Sequence, residues 1–306
     1  MEIKKYDRES LYQNIDLFCN LYNKTFTAVV NREIIEQRFL ENPYDDLLMY
    51  VAIEEGRIVA NYSAVPLRVV VDGIERKAAI AINTMTDSDY TGRGLFTTLA
   101  KALYEDLEKK GYAFIMCFPN YMSNRILNTR LGWKTVYEVP TLKLSIASFG
   151  EATIDTKAVL SQPNEGFCEE KNENRVYVKM SPEYITWRFT KNKDKQYKVL
   201  FADNDNWLIY QFYNNEINIT IISCTDRMKE KALIQRVISI GKCKKYEYIT
   251  TWCMVNTETH SFLEKIGFRL SSPIRTFAIK CFDESIASTV YDYRSWRIQM
   301  GDDNTY

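Results

Sequence analysis

Between Asp89 and Leu107 the chain reads Asp-Tyr-Thr-Gly-Arg-Gly-Leu-Phe-Thr-Thr-Leu-Ala-Lys-Ala-Leu-Tyr-Glu-Asp-Leu, a glycine-punctuated turn that feeds straight into an amphipathic helix. Gly92 and Gly94 permit backbone conformations and close approaches that a Cβ blocks. The first helical turn offers unpaired N–H groups at the positive end of the helix dipole. Together they form a cradle for an anion such as pyrophosphate. Leu95, Leu99, Ala102, Leu103 and Leu107 recur at helical spacing, so one face packs down and fixes the turn, and Gly111 is placed to close the helix.

The flanks give the turn a context. Ile80, Ile82 and Thr84 alternate with Ala79, Ala81, Asn83 and Met85, which predicts a two-faced strand over 76–86. A second apolar run, 112–118, ends at Pro119-Asn120. A short helix over 123–130 and Leu131-Gly132-Trp133 follow. The third glycine of a dinucleotide-binding turn is missing, since Thr97 stands three residues beyond Gly94, and no Gly-Lys-Ser/Thr of a Walker loop follows.

The order strand, glycine turn, helix, strand, short helix and Leu-Gly-aromatic resembles the GNAT (Gcn5-related N-acetyltransferase) family. Its Gln/Arg-x-x-Gly-x-Gly/Ala loop is matched by Asp89-Tyr90-Thr91-Gly92-Arg93-Gly94, and its Leu-Tyr-x-x-x-Gly-Phe motif by Leu127-Asn128-Thr129-Arg130-Leu131-Gly132-Trp133. The resemblance implies acyl-coenzyme A as donor. Tyr90, Thr91, Gly92, Arg93, Gly94 and Leu95 would bind the pyrophosphate, with Arg93 adding a side-chain charge. Thr84 and Met85 would line the acyl end, Met85 N–H serving as oxyanion donor. Cys117, Phe118 and Asn120 would flank the pantetheine arm, and Asn128 completes the expected coenzyme A contacts.

Proton-handling positions depart from the family. No carboxylate occurs from Lys77 to Thr86, where many members carry a glutamate base, and Asn128 stands where a tyrosine often protonates the departing thiolate. The base and acid are left unassigned. Asn83 and Asn120 are the candidates for orienting an acceptor, and Asp87 is the nearest carboxylate, equally suited to capping the loop. Tyr62, Tyr121, Tyr137 and Trp252 are candidates for stacking on a planar or sugar-like acceptor. The lone histidine, His260, cannot build a multi-histidine metal site, and no metal is expected.

A 306-residue chain with 46% apolar residues can bury a large core and is long enough for two domains. Lys+Arg and Asp+Glu balance at 40 each, which argues against a nucleic-acid or anionic-membrane partner and for small-molecule substrates. With no long apolar run and no secretion signal, a cytoplasmic protein is expected. The seven scattered cysteines, without a Cys-x-x-Cys pair, read as buried thiols of a reducing compartment.

An internal repeat spans the chain. Glu33-Ile34-Ile35-Glu36-Gln37-Arg38-Phe39 is echoed by Glu183-Tyr184-Ile185-Thr186-Trp187-Arg188-Phe189, 112–120 by 248–256, and Leu131-Gly132-Trp133 by Ile266-Gly267-Phe268. The second copy runs from its strand through Thr225-Asp226-Arg227 into its helix with no glycine. The expected architecture is α/β: two tandem GNAT-like domains, each a mixed, mostly antiparallel twisted sheet flanked by helices, the second degenerate. The boundaries are 1–145 for the competent domain, 146–174 for a polar linker and 175–306 for the second. Two fused domains supply the pair that GNAT folds often form as dimers, so a monomer is expected.

Trp187-Arg188-Phe189 and the segment from Trp296 to Asp303 resemble tandem GNAT-like proteins of bacterial surface-polysaccharide pathways. That resemblance implies transfer of an acetyl or 3-hydroxybutanoyl group to the amine of a dTDP-linked 3-amino-3,6-dideoxyhexose, as in O-antigen or capsule synthesis. The alternatives are acetylation of another small amine, or a non-catalytic acyl-coenzyme A-binding module.

Overall fold

The computed structural model describes residues 1–44, 46–148 and 175–303. Two compact units emerge, each built from two stretches of chain: unit 1 from Met1–Tyr137 and Thr276–Tyr293, unit 2 from Glu138–Arg275 and Arg294–Tyr306. The chain therefore crosses between units three times, inside β6 (Lys134–Ser145), inside β12 (Arg269–Cys281) and between Tyr293 and Arg294. Of the linker expected over 146–174, only 146–148 lie within the described residues, as a single 3-10 turn.

Unit 1 opens with β1 (Glu2–Tyr6), α1 (Arg8–Gln13), α2 (Ile15–Thr25) and α3 (Arg32–Ile35), the last continuing into a π-helical turn over Glu36–Leu40. The strands β2 (Leu48–Glu54), β3 (Arg57–Val71) and β4 (Ile74–Thr86) form an antiparallel meander with β1. A crossover through α4 (Leu95–Lys109) then returns the chain, so β5 (Phe114–Cys117) lies parallel to β4. The end of β12 closes the unit-1 sheet, antiparallel to β5. α5 (Tyr121–Arg130) and α9 (Ala287–Val290) complete the unit.

The helix expected after the glycine turn forms as read, with Leu95, Leu99, Leu103 and Leu107 buried. Ala100 and Tyr104 share that face, whereas Ala102 is only partly buried. Gly111, at φ +73, turns the chain out of the helix while Tyr112 N–H reaches back to Leu107 C=O at 3.0 Å.

Unit 2 repeats the plan. β7 (Val176–Val178) precedes α6 (Pro182–Ile185), which again runs into a π-helical turn, Thr186–Thr190. Then come β8 (Tyr197–Phe201), β9 (Trp207–Tyr213), β10 (Glu216–Ser223), the crossover helix α7 (Arg227–Lys244), parallel β11 (Tyr248–Trp252) and α8 (Glu258–Lys265). The sheet order within the unit is β6-β11-β10-β9-β8. π-Helical turns are rare, so one at the same place in both copies supports the repeat more strongly than the short sequence matches do. Each turn carries a buried arginine, Arg38 and Arg188.

Two features of unit 2 mark the copies as different. Asp226 caps α7, accepting from Met228 N at 2.7 Å and Lys229 N at 3.2 Å, so a carboxylate of the chain itself occupies the N-terminus where an anion would sit. Parallel pairing of β10 with β11 is recorded only to Ile219–Thr251, and further along β10 Ile222 N–H donates to Gln299 Oε1 at 2.8 Å while the Arg297 guanidinium donates to Ile222 C=O. Arg188 holds the same C-terminal segment by donating to Asp303 C=O at 3.0 Å.

His260 is buried beside Cys253, its Nδ1 3.1 Å from the Cys253 carbonyl. Six cysteines lie among the described residues and all are free thiols: Cys19, Cys117 and Cys253 are buried as expected, Cys224 and Cys281 are partly buried, and Cys243, on α7, is exposed. No helix among the described residues is long and apolar enough to cross a membrane.

Gly301 sits where a Cβ would lie 2.7 Å from Ile221 Cδ1 and 3.1 Å from Phe189 Cζ. Gly301→Ala is expected to destabilise the protein by about 1–3 kcal/mol through overpacking, read as a lower urea midpoint at unchanged slope.

Candidate active site

β4 is paired along its whole length with β3, from Val71–Ile74 to Ala60–Thr86. Its other edge is paired with β5 only from Ala78–Phe114 to Ile80–Met116. Beyond Ile80 that edge has no partner strand among the described residues, while β5 stays paired with β12 through Cys117–Ala278. Two interior strands thus part, and main-chain groups in the gap need a partner from outside the sheet. An extended ligand carrying amides can supply one in the manner of an added strand.

A bulge shapes the far end of the gap. Asn61 is opposite Met85 and Ser63 opposite Ile82, so Asn83 and Thr84 together face Tyr62 alone. Asn83 takes φ +51, a left-handed conformation that asparagine tolerates better than most residues. Buried polar side chains pin it. Asn61 Nδ2 donates to Asn83 C=O at 2.7 Å and to Ser63 Oγ at 3.0 Å, Ser63 Oγ donates to Ile82 C=O at 2.9 Å, and Arg38 NH1 donates to Asn83 Oδ1 at 3.2 Å. Sequence reasoning picked out Asn83 but not Arg38, Asn61 or Ser63. The polar Asn-x-Ser within the apolar run from Ile58 to Val65 was the available signal.

The phosphate cradle is built from below. Asp87 accepts two hydrogen bonds from Lys24 Nζ, at 2.7 and 2.8 Å, and one from Asp89 N–H at 3.1 Å, so it caps the 3-10 turn Ser88–Tyr90. The Lys24 hydrogen bond is the leading cause holding the Asp87 carboxyl below its ordinary pKa. Gly92 and Gly94 both take φ +76, and nothing lies within 4 Å of where a Gly92 Cβ would be. Thr98 N–H is the first in the helix to find a main-chain acceptor, Gly94 C=O at 3.0 Å; the N–H groups from Gly92 to Thr97 have none among the described residues. No side chain caps this helix. Arg93 stacks over the Tyr90 ring with its guanidinium carbon 4.5 Å from the centroid, and donates to Asp89 C=O at 3.1 Å.

The remaining expected site residues fall into two groups. Thr84, Met85, Cys117 and Phe118 border the gap, Phe118 resting on Phe277 with centroids 5.2 Å apart. Asn120 and Asn128 are engaged in local structure. Asn120 Oδ1 caps α5 by accepting from Ser123 N–H at 2.9 Å, and Asn128 bridges Asn124 and Thr135, accepting from Thr135 N–H at 3.2 Å. Among the candidate stacking residues, Tyr62 is fully buried and bonded to the Tyr104 hydroxyl at 2.7 Å, and burial raises its pKa far above the ordinary value. It is a core residue. Tyr137 stacks on Tyr293, with centroids 4.7 Å apart.

Residues 2–136 match the acetyltransferase (GNAT) domain family. The whole fold is similar to solved GNAT structures at low identity. A GCN5-related N-acetyltransferase from Kribbella flavida aligns with a TM-score of 0.67 and 11% identity, over 95% of this chain and 73% of its own. A probable N-acyltransferase from Enterococcus faecalis, described as a conserved protein of unknown function, gives 0.67 and 12%, over 92% and 73%. A GCN5-related N-acetyltransferase from Anabaena variabilis gives 0.65 and 11%, over 95% and 75%. No curated protein matches in sequence. The GNAT fold uses acyl-coenzyme A as donor and supports acyl transfer to an amine.

Gly92→Asp places a Cβ and a negative charge in the cradle, where the backbone already disfavours any side chain by about 1 kcal/mol. Calorimetry is expected to show coenzyme A binding abolished in a protein that still unfolds cooperatively. Asp87 makes a pH prediction. Because its folded pKa is depressed, its contribution is fully present above the unfolded value of about 3.9 and is lost as pH falls through the lower folded value. Wild type should therefore lose stability relative to Asp87→Asn only below about pH 4, measured as the difference between their melting temperatures across pH.

Proposed function

We propose that unit 1 is a coenzyme A-dependent N-acyltransferase in which the parted strands take the pantetheine arm and the Gly92–Gly94 turn takes the pyrophosphate. The observation that carries this reading is the run of unengaged N–H groups from Gly92 to Thr97, continuous with a positively charged Arg93. In this reading Tyr90, Thr91 and Leu95 complete the cradle, Thr84 lines the acyl group, and Cys117, Phe118, Asn120 and Asn128 flank the arm.

The reaction is direct attack in a ternary complex. The acceptor nitrogen bonds to the thioester carbon, negative charge builds on the carbonyl oxygen near Met85 N–H, the C–S bond breaks, and the nitrogen loses a proton as the thiolate gains one. Asn83 is the acceptor-orienting residue: Arg38 engages its Oδ1, which leaves the Nδ2 donors for the acceptor. Arg38, Asn61, Ser63 and Asn83 include no carboxylate, so the amine must arrive neutral and the rate should rise with pH as the acceptor itself deprotonates.

For the acceptor we take the amine of a nucleotide-linked amino sugar of the dTDP-3-amino-3,6-dideoxyhexose type, with an acetyl or 3-hydroxybutanoyl group transferred. Support comes from the resemblance at Trp187-Arg188-Phe189 and at Trp296 to Asp303. The protein is taken to act as a cytoplasmic monomer.

Incubation with acetyl- and 3-hydroxybutanoyl-coenzyme A, a panel of dTDP- and UDP-amino sugars and free small amines should release thiol and add one acyl mass to the dTDP-linked 3-amino sugar. Acylation of other amines alone would overturn the acceptor, and absence of thiol release with all of them would overturn the enzyme. Asn83→Gly keeps the bulge conformation and removes the amide; kcat should fall about a hundredfold with coenzyme A affinity unchanged.

A further inference from the structure

The sheet of unit 2 has one face packed on α7 through Leu142, Leu144, Ile217, Ile219 and Ile249. Residues of opposite parity on the same strands form a polar row across four strands, since Lys143 pairs with Thr250, Thr250 with Asn218, and Asn218 with Gln211. Interior strands seldom carry buried amides without partners. Asn218 is only 3% exposed, and its side-chain amide makes no hydrogen bond among the described residues.

Asn218 lines a cavity of about 340 Å³ formed entirely within unit 2. Tyr213 at the end of β9 and Asn215 in the β9–β10 turn line it, and Pro273 and Met300 supply apolar walls. Thr141 Oγ1 fixes one wall by donating to Pro273 C=O at 2.6 Å. At the centre Lys143 Nζ contacts Glu216 Oε1 at 2.5 Å and lies 4.9 Å from the Tyr248 ring centroid, while the Thr250 hydroxyl donates to the other Glu216 oxygen.

The chemistry of this lining is selective. The Lys143–Glu216 pair is charge-balanced, so an anion would face Glu216 and a cation Lys143, each at the expense of the existing pair. A neutral ligand keeps the pair. It meets donors left on Lys143, both donor and acceptor on Asn218, and two aromatic rings against which C–H faces can rest. The volume lies in the range of small-molecule pockets. We propose that unit 2 carries a binding site for a neutral polyhydroxylated ligand of monosaccharide size, recognised by Asn218 and the Lys143–Glu216 pair and flanked by Tyr213.

The test is calorimetric titration of the full chain with D-glucose, D-galactose and myo-inositol, beside the charged analogues glucose 6-phosphate and glucosamine. At least one neutral probe should bind with a dissociation constant of about 1 mM, and the charged analogues about tenfold more weakly. Asn218→Ala and Tyr213→Ala should each weaken binding about tenfold. Tyr213 is 59% exposed, so its truncation leaves the fold intact and serves if Asn218→Ala unfolds. The proposal is overturned if no neutral probe binds at about 100 mM, if a charged analogue binds more tightly, or if Tyr213→Ala leaves affinity unchanged.

Discussion

The structure of unit 1 turns on a main-chain hydrogen-bonding deficit in the interior of a sheet. Buried N–H and C=O groups must be paired, and a strand with only one neighbour over part of its length is a standing demand for a partner. β4 keeps β3 to its end and loses β5 after Ile80. The bulge at Asn83 and Thr84, the Asp87–Lys24 anchor and the uncapped start of α4 all sit at the end of β4 or beyond it. Each shapes or extends the opening that this one separation creates.

The second unit meets the same demand by other means. Ile222, beyond the last β10–β11 pair, gives its N–H to Gln299 and its C=O to Arg297, and Asp226 takes the first N–H groups of α7. A carboxylate on a helix N-terminus is stabilising, and side chains of the C-terminal segment remove the need for a ligand. One fold plan thus gives an open cradle in one copy and a self-satisfied one in the other. Two buried arginines on matching π-helical turns carry the same logic: Arg38 steadies a bulge residue, whereas Arg188 steadies the chain's own end.

Polar burial separates the units in a further way. In unit 1 hydrogen bonds from Asn61 Nδ2 and Ser63 Oγ to the main chain of Asn83 and Ile82 fix one backbone shape, while Asn61 Oδ1 has no partner among the described residues. In unit 2 the row from Lys143 to Gln211 lies on a sheet face and includes Asn218, whose side-chain amide makes no hydrogen bond among the described residues. The first arrangement serves the main chain of a bulge; the second lines the cavity proposed as a ligand site.

Much of this was legible in the chain itself. The glycine turn, the stripe from Leu95 to Leu107 and the repeat are local patterns, set by side-chain periodicity and by backbone freedom at single residues, and they form where the sequence places them. The roles of Asn120 and Asn128 were less legible, because capping and α5-to-β6 bridging depend on which N–H groups a fold leaves nearby. Arg38 and Asn83 are 45 residues apart, and nothing in either neighbourhood announces their contact. The amino-acid order alone determined that this chain would carry one glycine cradle and two copies of a strand-helix-strand unit. Only the tertiary structure decided where β4 and β5 part and how the second copy satisfies its own main chain, because those outcomes are set by strand register and by contacts between residues distant in sequence.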